Sequence, residues 1–150
     1  MDIFYMKEAL EEAKRAYSTY EVPVGAVIVH DGKIIARAYN QRESLNNPIA
    51  HAELIAINQA SKYLGQWRLT GSTMYVTLEP CAMCAGALVN ARIDRLVIGA
   101  RDLRMGCAGT VEDITNHDKF NHKIEVEFGV LEEECSSILS DFFKYLRSKK

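Results

Sequence analysis

Apolar side chains at Leu10, Ala13, Ala16, Tyr17 and Tyr20 recur at helical spacing with charges between them, which predicts an amphipathic first helix. The period then changes. A β-branched apolar run, VGAVIVH at 24–30, is followed by Asp31-Gly32 and then by KIIARAY at 33–39. Two strand-like runs joined by Asp-Gly predict a hairpin, because that pair tolerates the positive φ angles of a tight turn. Asn40 to Pro48 is polar and aperiodic and reads as a loop. Ala50 to Leu64 is rich in helix formers, and Gly65 is placed to cap its C-terminus.

Further on, STMYVTL at 72–78 reads as a strand, CAMCAGALVNA at 81–91 as a short helix and DRLVIGA at 94–100 as another strand. Residues 101–122 look irregular apart from a helical turn. KIEVEFG at 123–129 alternates as an edge strand does, and Leu131, Cys135, Ile138, Leu139, Phe142, Phe143 and Leu146 form one stripe of a last helix. Alternation of strands and helices implies crossover connections and a partly parallel sheet. The expected fold is α/β: a three-layer α/β/α sandwich around a mixed sheet of about five strands.

The chain's 150 residues fit one domain, spanning 1–150, with no linker, repeat or low-complexity run to divide them. Apolar residues at 48% and charged residues at 25% are ordinary for a globular protein. No apolar stretch is long enough to span a membrane, and the acidic amino terminus lacks the apolar block of a signal peptide. A cytoplasmic location is therefore expected, and with it reduced thiols, so four cysteines point to metal ligands, redox groups or buried thiols. A net charge of −2 gives no global sign of a nucleic-acid partner. Positive charge for such a partner has to be local, and the cations at 92, 95, 101, 104, 119 and 123 are candidates to ring a substrate mouth, against a null of scattered surface charge.

Three fragments carry candidate chemistry: His51-Ala52-Glu53, Glu79-Pro80-Cys81 and Cys81-Ala82-Met83-Cys84. Cys81 and Cys84 lie three apart at a helix start, where Pro80 suits the first turn and the helix dipole favours thiolates. Two thiolates and a neutral imidazole make three ligands, and a three-ligand zinc keeps a position open for water. Cys107 and Cys135 stand in other segments without ligand-like neighbours and read as buried hydrophobes. His51 and Glu53 are two residues apart, so both reach one metal only from the first turn of a helix. Two helix amino termini, near Ala50 and Cys81, are thus expected to converge on one Zn2+ per chain. A thioredoxin-like pair would leave His51 and Glu53 unexplained, and a purely structural zinc would lack its fourth ligand. His30, His117 and His122 carry no such combination and read as surface or loop residues.

The fragments together match the H-x-E…P-C-x-x-C signature of zinc-dependent nucleobase deaminases. Glu53 is then the catalytic proton carrier, and His51, Cys81 and Cys84 are the metal ligands. Beyond that signature the chain resembles the bacterial tRNA-specific adenosine deaminases, which convert a wobble adenosine to inosine. The resemblance runs from Glu8 to Arg147 and includes EVPVGAV at 21–27, Asn40, AHAE at 50–53, YVTLEPCAMCAGA at 75–87, GARD at 99–102, FNH at 120–122 and LSDFF at 139–143. It implies that Asn40 orients the target nucleoside and that Asp102, Arg104 and Asn121 face the RNA. It further implies a tRNA anticodon stem-loop as partner, no membrane, and a homodimer. A deaminase of a free base or nucleoside, of guanine or cytosine type, shares the same fold and motif and stays open from the motif alone. So does a non-catalytic RNA-binding subunit that retains zinc, although such a subunit has no use for Glu53.

Overall fold

A computed structural model describes residues 1–149 of the chain. Its elements run α1 (Asp2–Ser18), β1 (Gly25–His30), β2 (Lys33–Tyr39), α2 (Ala52–Leu64), β3 (Ser72–Leu78), α3 (Ala82–Asn90), β4 (Arg95–Ala100), β5 (Glu125–Phe128) and α4 (Glu132–Ser148). The five strands form one sheet in the order β2-β1-β3-β4-β5. β1 runs antiparallel to both β2 and β3, whereas β3, β4 and β5 are mutually parallel. The hairpin closes on Asp31 and Gly32, both at positive φ (50° and 72°), as the Asp-Gly pair predicts.

Each sheet face carries its own core. On one face α2 and α3 cover Ile28, Met74, Val76, Leu96 and Ile98. Ala52, Ala56 and Ala60 lie one turn apart on α2 and are fully buried, so the helix sits close against the strands. On the other face α1 and α4 cover Val27, Tyr75 and Val97. α1 approaches so closely that a Cβ on Gly25 would run into the backbone of Ala9 and Ala13. The result is the expected three-layer α/β/α architecture with a mixed five-stranded sheet.

Two details differ from the sequence pattern. Tyr20 lies beyond the end of α1 at φ 64°, exposed, because the chain leaves the helix after Ser18 to turn toward β1. The α4 stripe is not buried along its whole length. Cys135 and Phe142 are buried, and Phe142 meets Tyr17 edge-on at 5.5 Å, but Phe143 and Leu146 remain exposed. Among the described residues, no helix is long and apolar enough to cross a membrane.

Candidate metal centre and substrate mouth

β3 and β4 are parallel, so a helix has to carry the chain back between them, and the turn that begins it lies at the carboxyl end of the sheet. That turn is Glu79-Pro80-Cys81, and Cys81 is the N-cap of α3 with Cys84 in its first turn. The loop after β2 returns to the same end, where the Gln41 N–H donates to the Ala50 carbonyl at 3.0 Å. His51 then stands as the N-cap of α2 with Glu53 in its first turn. Neither helix has a side-chain cap, and the two amino termini meet around the donors.

The His51 Nδ1 lies 3.7 Å from the Cys81 Sγ and 3.5 Å from the Cys84 Sγ. All three ligand atoms fall within 4.8 Å of one another, and they form the one such group among the described residues. A tetrahedral zinc with ordinary Zn–S and Zn–N bonds puts its nitrogen and sulfur donors about 3.6 Å apart. The spacing fits a zinc, and so does the donor chemistry.

The electrostatics point the same way. Hydrogen bonding from Cys84, then from His51, pulls the Cys81 thiol down to about 4, while Cys84, bonded to that sulfur and buried, is pushed well above the ordinary thiol value. One sulfur ionises at the other's expense, since two adjacent thiolates repel unless a cation lies between them. The hydrogen bond to Cys81 raises His51. Burial pushes the Glu53 carboxyl up to about 7. Glu53 is 4% exposed, a carboxyl held in a nearly dry pocket against the donor set.

The remaining expected site residues are distributed around this centre. Asn40 is buried, with its Nδ2 donating to the Val22 carbonyl (3.2 Å) and its Oδ1 accepting from the Arg42 N–H (3.2 Å). Asp102 follows β4 and uses its Oδ1 to hold the N–H groups of Arg104 and Met105. Arg104 is exposed beside Phe143, Leu146 and Arg147 of α4. Asn121, with Lys119 and Phe120, lines a surface groove of about 900 Å³ against Met83, Gly86 and Ala87 of α3 and Ile49 and Leu54 near α2. Neither His51 nor Glu53 lines that groove, so it runs beside the donors and not over them.

The ring of cations does not form as a unit. Arg95 is held by Asp2, Glu125 and Glu127, and Lys123 pairs with Asp118. Arg92 donates to the carbonyls of Val89 and Asn90 at the end of α3, and Arg101 stacks on Phe128 at 3.8 Å. Arg104 and Lys119 are the exposed candidates whose side chains meet no partner among the described residues. His122 is not a plain surface residue either, because it is half-buried with its Nε2 2.7 Å from the Ile93 carbonyl.

Besides Glu53, and Glu12, which pairs with Arg15 and Arg37, two more acids are buried. Glu21 is fully buried and accepts from the N–H of Glu43 (3.0 Å), the N–H of Ser44 and the Ser44 hydroxyl. Burial alone would raise its carboxyl, but those donors outweigh burial and hold it below the usual value. Glu79, 2% exposed, likewise binds the loop after β4. The only available signal was position: each acid sits inside or beside an apolar run.

The family described as MafB19-like deaminase matches residues 2–147 of the chain. A tRNA-specific adenosine deaminase of Bacillus subtilis (strain 168) is 56% identical over 149 residues, covering 99% of this chain and 92% of that protein. One of the same name from Streptococcus pyogenes serotype M18 is 43% identical over 147 residues, covering 98% and 92%. A solved structure from a study of A-to-I editing by tRNA:A34 deaminases at the wobble position superposes with a TM-score of 0.88 at 44% identity, over 91% of this chain and 99% of that one.

Proposed function

This chain belongs to the family of the tRNA-specific adenosine deaminases, and we propose that it hydrolyses the exocyclic amine of a wobble adenosine in a tRNA anticodon loop, leaving inosine. The observation that carries this reading is the convergence of His51, Cys81 and Cys84 at two helix amino termini, with the buried acid Glu53 in the first turn of one of them. Its substrate follows from the relatives, which cover nearly the whole chain.

Zinc held by His51, Cys81 and Cys84 supplies, when bound, a water whose pKa is brought down to roughly 7. Glu53 accepts that water's proton and passes it to the ring nitrogen beside the amine-bearing carbon. The water's oxygen bonds to that carbon, Glu53 takes the second proton from the resulting hydroxyl and gives it to the amine, and ammonia leaves with the C–N bond electrons as the C=O bond forms. Water and adenosine thus become inosine and ammonia, with no redox change. Dry walls around Glu53 keep its carboxyl basic enough to take the proton.

A base within a stacked duplex cannot reach a recessed pocket, whereas an anticodon-loop base is splayed out at little cost. Asn40 is the side chain proposed to orient the nucleoside, and Asp102, Arg104 and Asn121 are the proposed contacts to the loop around it. Local contacts of this kind accommodate a chain whose net charge is −2. We read residues 1–150 as one deaminase domain that works in the cytoplasm as a homodimer, an assembly supported by the family resemblance. Expressed in cells whose own wobble deaminase has been depleted, the chain should restore inosine at the wobble position of the tRNA pool. Unchanged adenosine there, despite soluble zinc-loaded protein, would overturn the assignment.

A further inference from the structure

We propose that Glu79 is a positioning residue that sets the RNA-facing loop against the metal centre, an inference that rests on the function proposed above. Glu79 stands two residues before Cys81, on the short connection between β3 and α3. Its carboxyl reaches into the 102–110 segment. The Oε1 accepts from the Asp102 N–H (3.1 Å) and the Thr110 hydroxyl, and the Oε2 accepts from the N–H groups of Ala108 (3.0 Å) and Thr110 (3.0 Å). All four donors belong to one loop, and that loop carries Asp102 and Arg104.

Two further contacts fix the distance between loop and connection. The Cys107 N–H donates to the Pro80 carbonyl at 2.9 Å, immediately beside Cys81. Gly106 lies so near the anchor that a Cβ there would come within 2.5 Å of the Glu79 carboxyl and of the Asp102 carbonyl. The carboxylate therefore acts as a short bar: one end is covalently joined to the segment that delivers Cys81, and the other end holds Asp102. Any shift of this bar changes where an RNA loop sits relative to the donors without altering the donors.

Glutamine separates this role from simple loop stabilisation. Thr110 can turn its hydroxyl to accept from an amide, but the Asp102 N–H cannot. With the amide nitrogen at the Oε1 position, Asp102 alone loses its acceptor; with it at the Oε2 position, both Ala108 and Thr110 lose theirs. The first arrangement orphans fewer groups, so Glu79→Gln releases the loop mainly at Asp102.

The test is steady-state deamination of an anticodon stem-loop by zinc-loaded wild type, Glu79→Gln, Asp102→Ala and the double variant, with zinc content measured on each. Glu79→Gln should raise KM by about 10- to 100-fold with a smaller fall in kcat and unchanged zinc, since misplacement of about an ångström away from the chemistry costs on this order. In the Asp102→Ala background the same substitution should add less than threefold, because its effect runs through Asp102. Gly106→Ala, which pushes the loop off the anchor from the other side, should reproduce the KM rise if Glu79→Gln fails to fold. An unchanged KM in folded Glu79→Gln or Gly106→Ala, or full additivity with Asp102→Ala, would overturn the role of Glu79 while leaving the proposed function intact. Wild type that fails on the stem-loop would overturn the function itself, and this inference with it.

Discussion

Replacing Glu53 with glutamine isolates the proton-transfer step from the metal. Glutamine has nearly the volume of glutamate, and the residue is 4% exposed in the first turn of α2, so the substitution leaves no cavity. Burial already pushes the carboxyl up to about 7, so a neutral amide costs no more to bury there. His51, Cys81 and Cys84 keep their places, because the backbone and not Glu53 brings them together. What disappears is the buried acid proposed to accept a proton from water and deliver one to the amine. A positioned acid or base contributes about 10²- to 10⁴-fold to a transfer. In the proposed mechanism Glu53 serves both transfers, and one residue's two duties do not multiply cleanly. The expected loss is therefore at the upper end, about 10⁴-fold in kcat or roughly 5.4 kcal/mol of barrier. Single-turnover deamination of a stem-loop RNA, followed by nucleoside mass spectrometry, reads this directly, with zinc quantified on the same samples. A loss under tenfold with zinc retained would refute the role given to Glu53. Loss of zinc in parallel with activity would instead make Glu53 part of the metal's hold.

Cys84→Ser should take bound zinc from one per chain to less than about a tenth of that, since a hydroxyl does not replace a thiolate at such a site; elemental analysis after dialysis against a mild chelator checks it. The bidentate hydrogen bonds from Arg95 hold the Asp2 carboxyl well below the usual carboxylate range. A lowered folded-state pKa gives stability that is present above pH about 4 and lost as pH falls toward the folded value. Thermal melts should therefore show Asp2→Asn less stable than wild type at pH 7, by about 1 kcal/mol for a partly exposed pair, with the gap closing below pH about 3.5. Phe142→Ala empties a site that is 2% exposed and should cost about 3–5 kcal/mol in urea unfolding, whereas Phe143→Ala, at 42% exposure, should cost less than about 1 kcal/mol.

Short-range signals were legible in the sequence because one local rule decides each of them. Asp31-Gly32 fixes a two-residue hairpin by its positive φ angles, and Gly65 ends α2 at φ 70°. The placement of His51 and Glu53 at a helix start followed from their two-residue separation, which leaves no other way to face one point. Long-range partners were not legible. Whether Arg95 guards a substrate mouth or closes an ion pair depends on Asp2, 93 residues away, and on Glu125 and Glu127 across a parallel strand pair. Glu21 and Glu79 look like surface acids until loops more than twenty residues distant fold over them and supply N–H groups. Phe143 and Leu146 of the α4 stripe stay exposed because α1, its neighbour on that face, ends at Ser18 and covers Phe142 through Tyr17 but not Phe143.

Substrate choice is read most directly by competition in one tube. One preparation of zinc-loaded protein would be given an anticodon stem-loop with adenosine at the wobble position, together with equimolar free adenosine, guanine and cytidine. Inosine should appear in the stem-loop, at that position, with no deamination of the free compounds. Turnover of a free base with the stem-loop left intact would keep the metal and Glu53 but contradict the RNA assignment and the roles of Asn40, Asp102, Arg104 and Asn121.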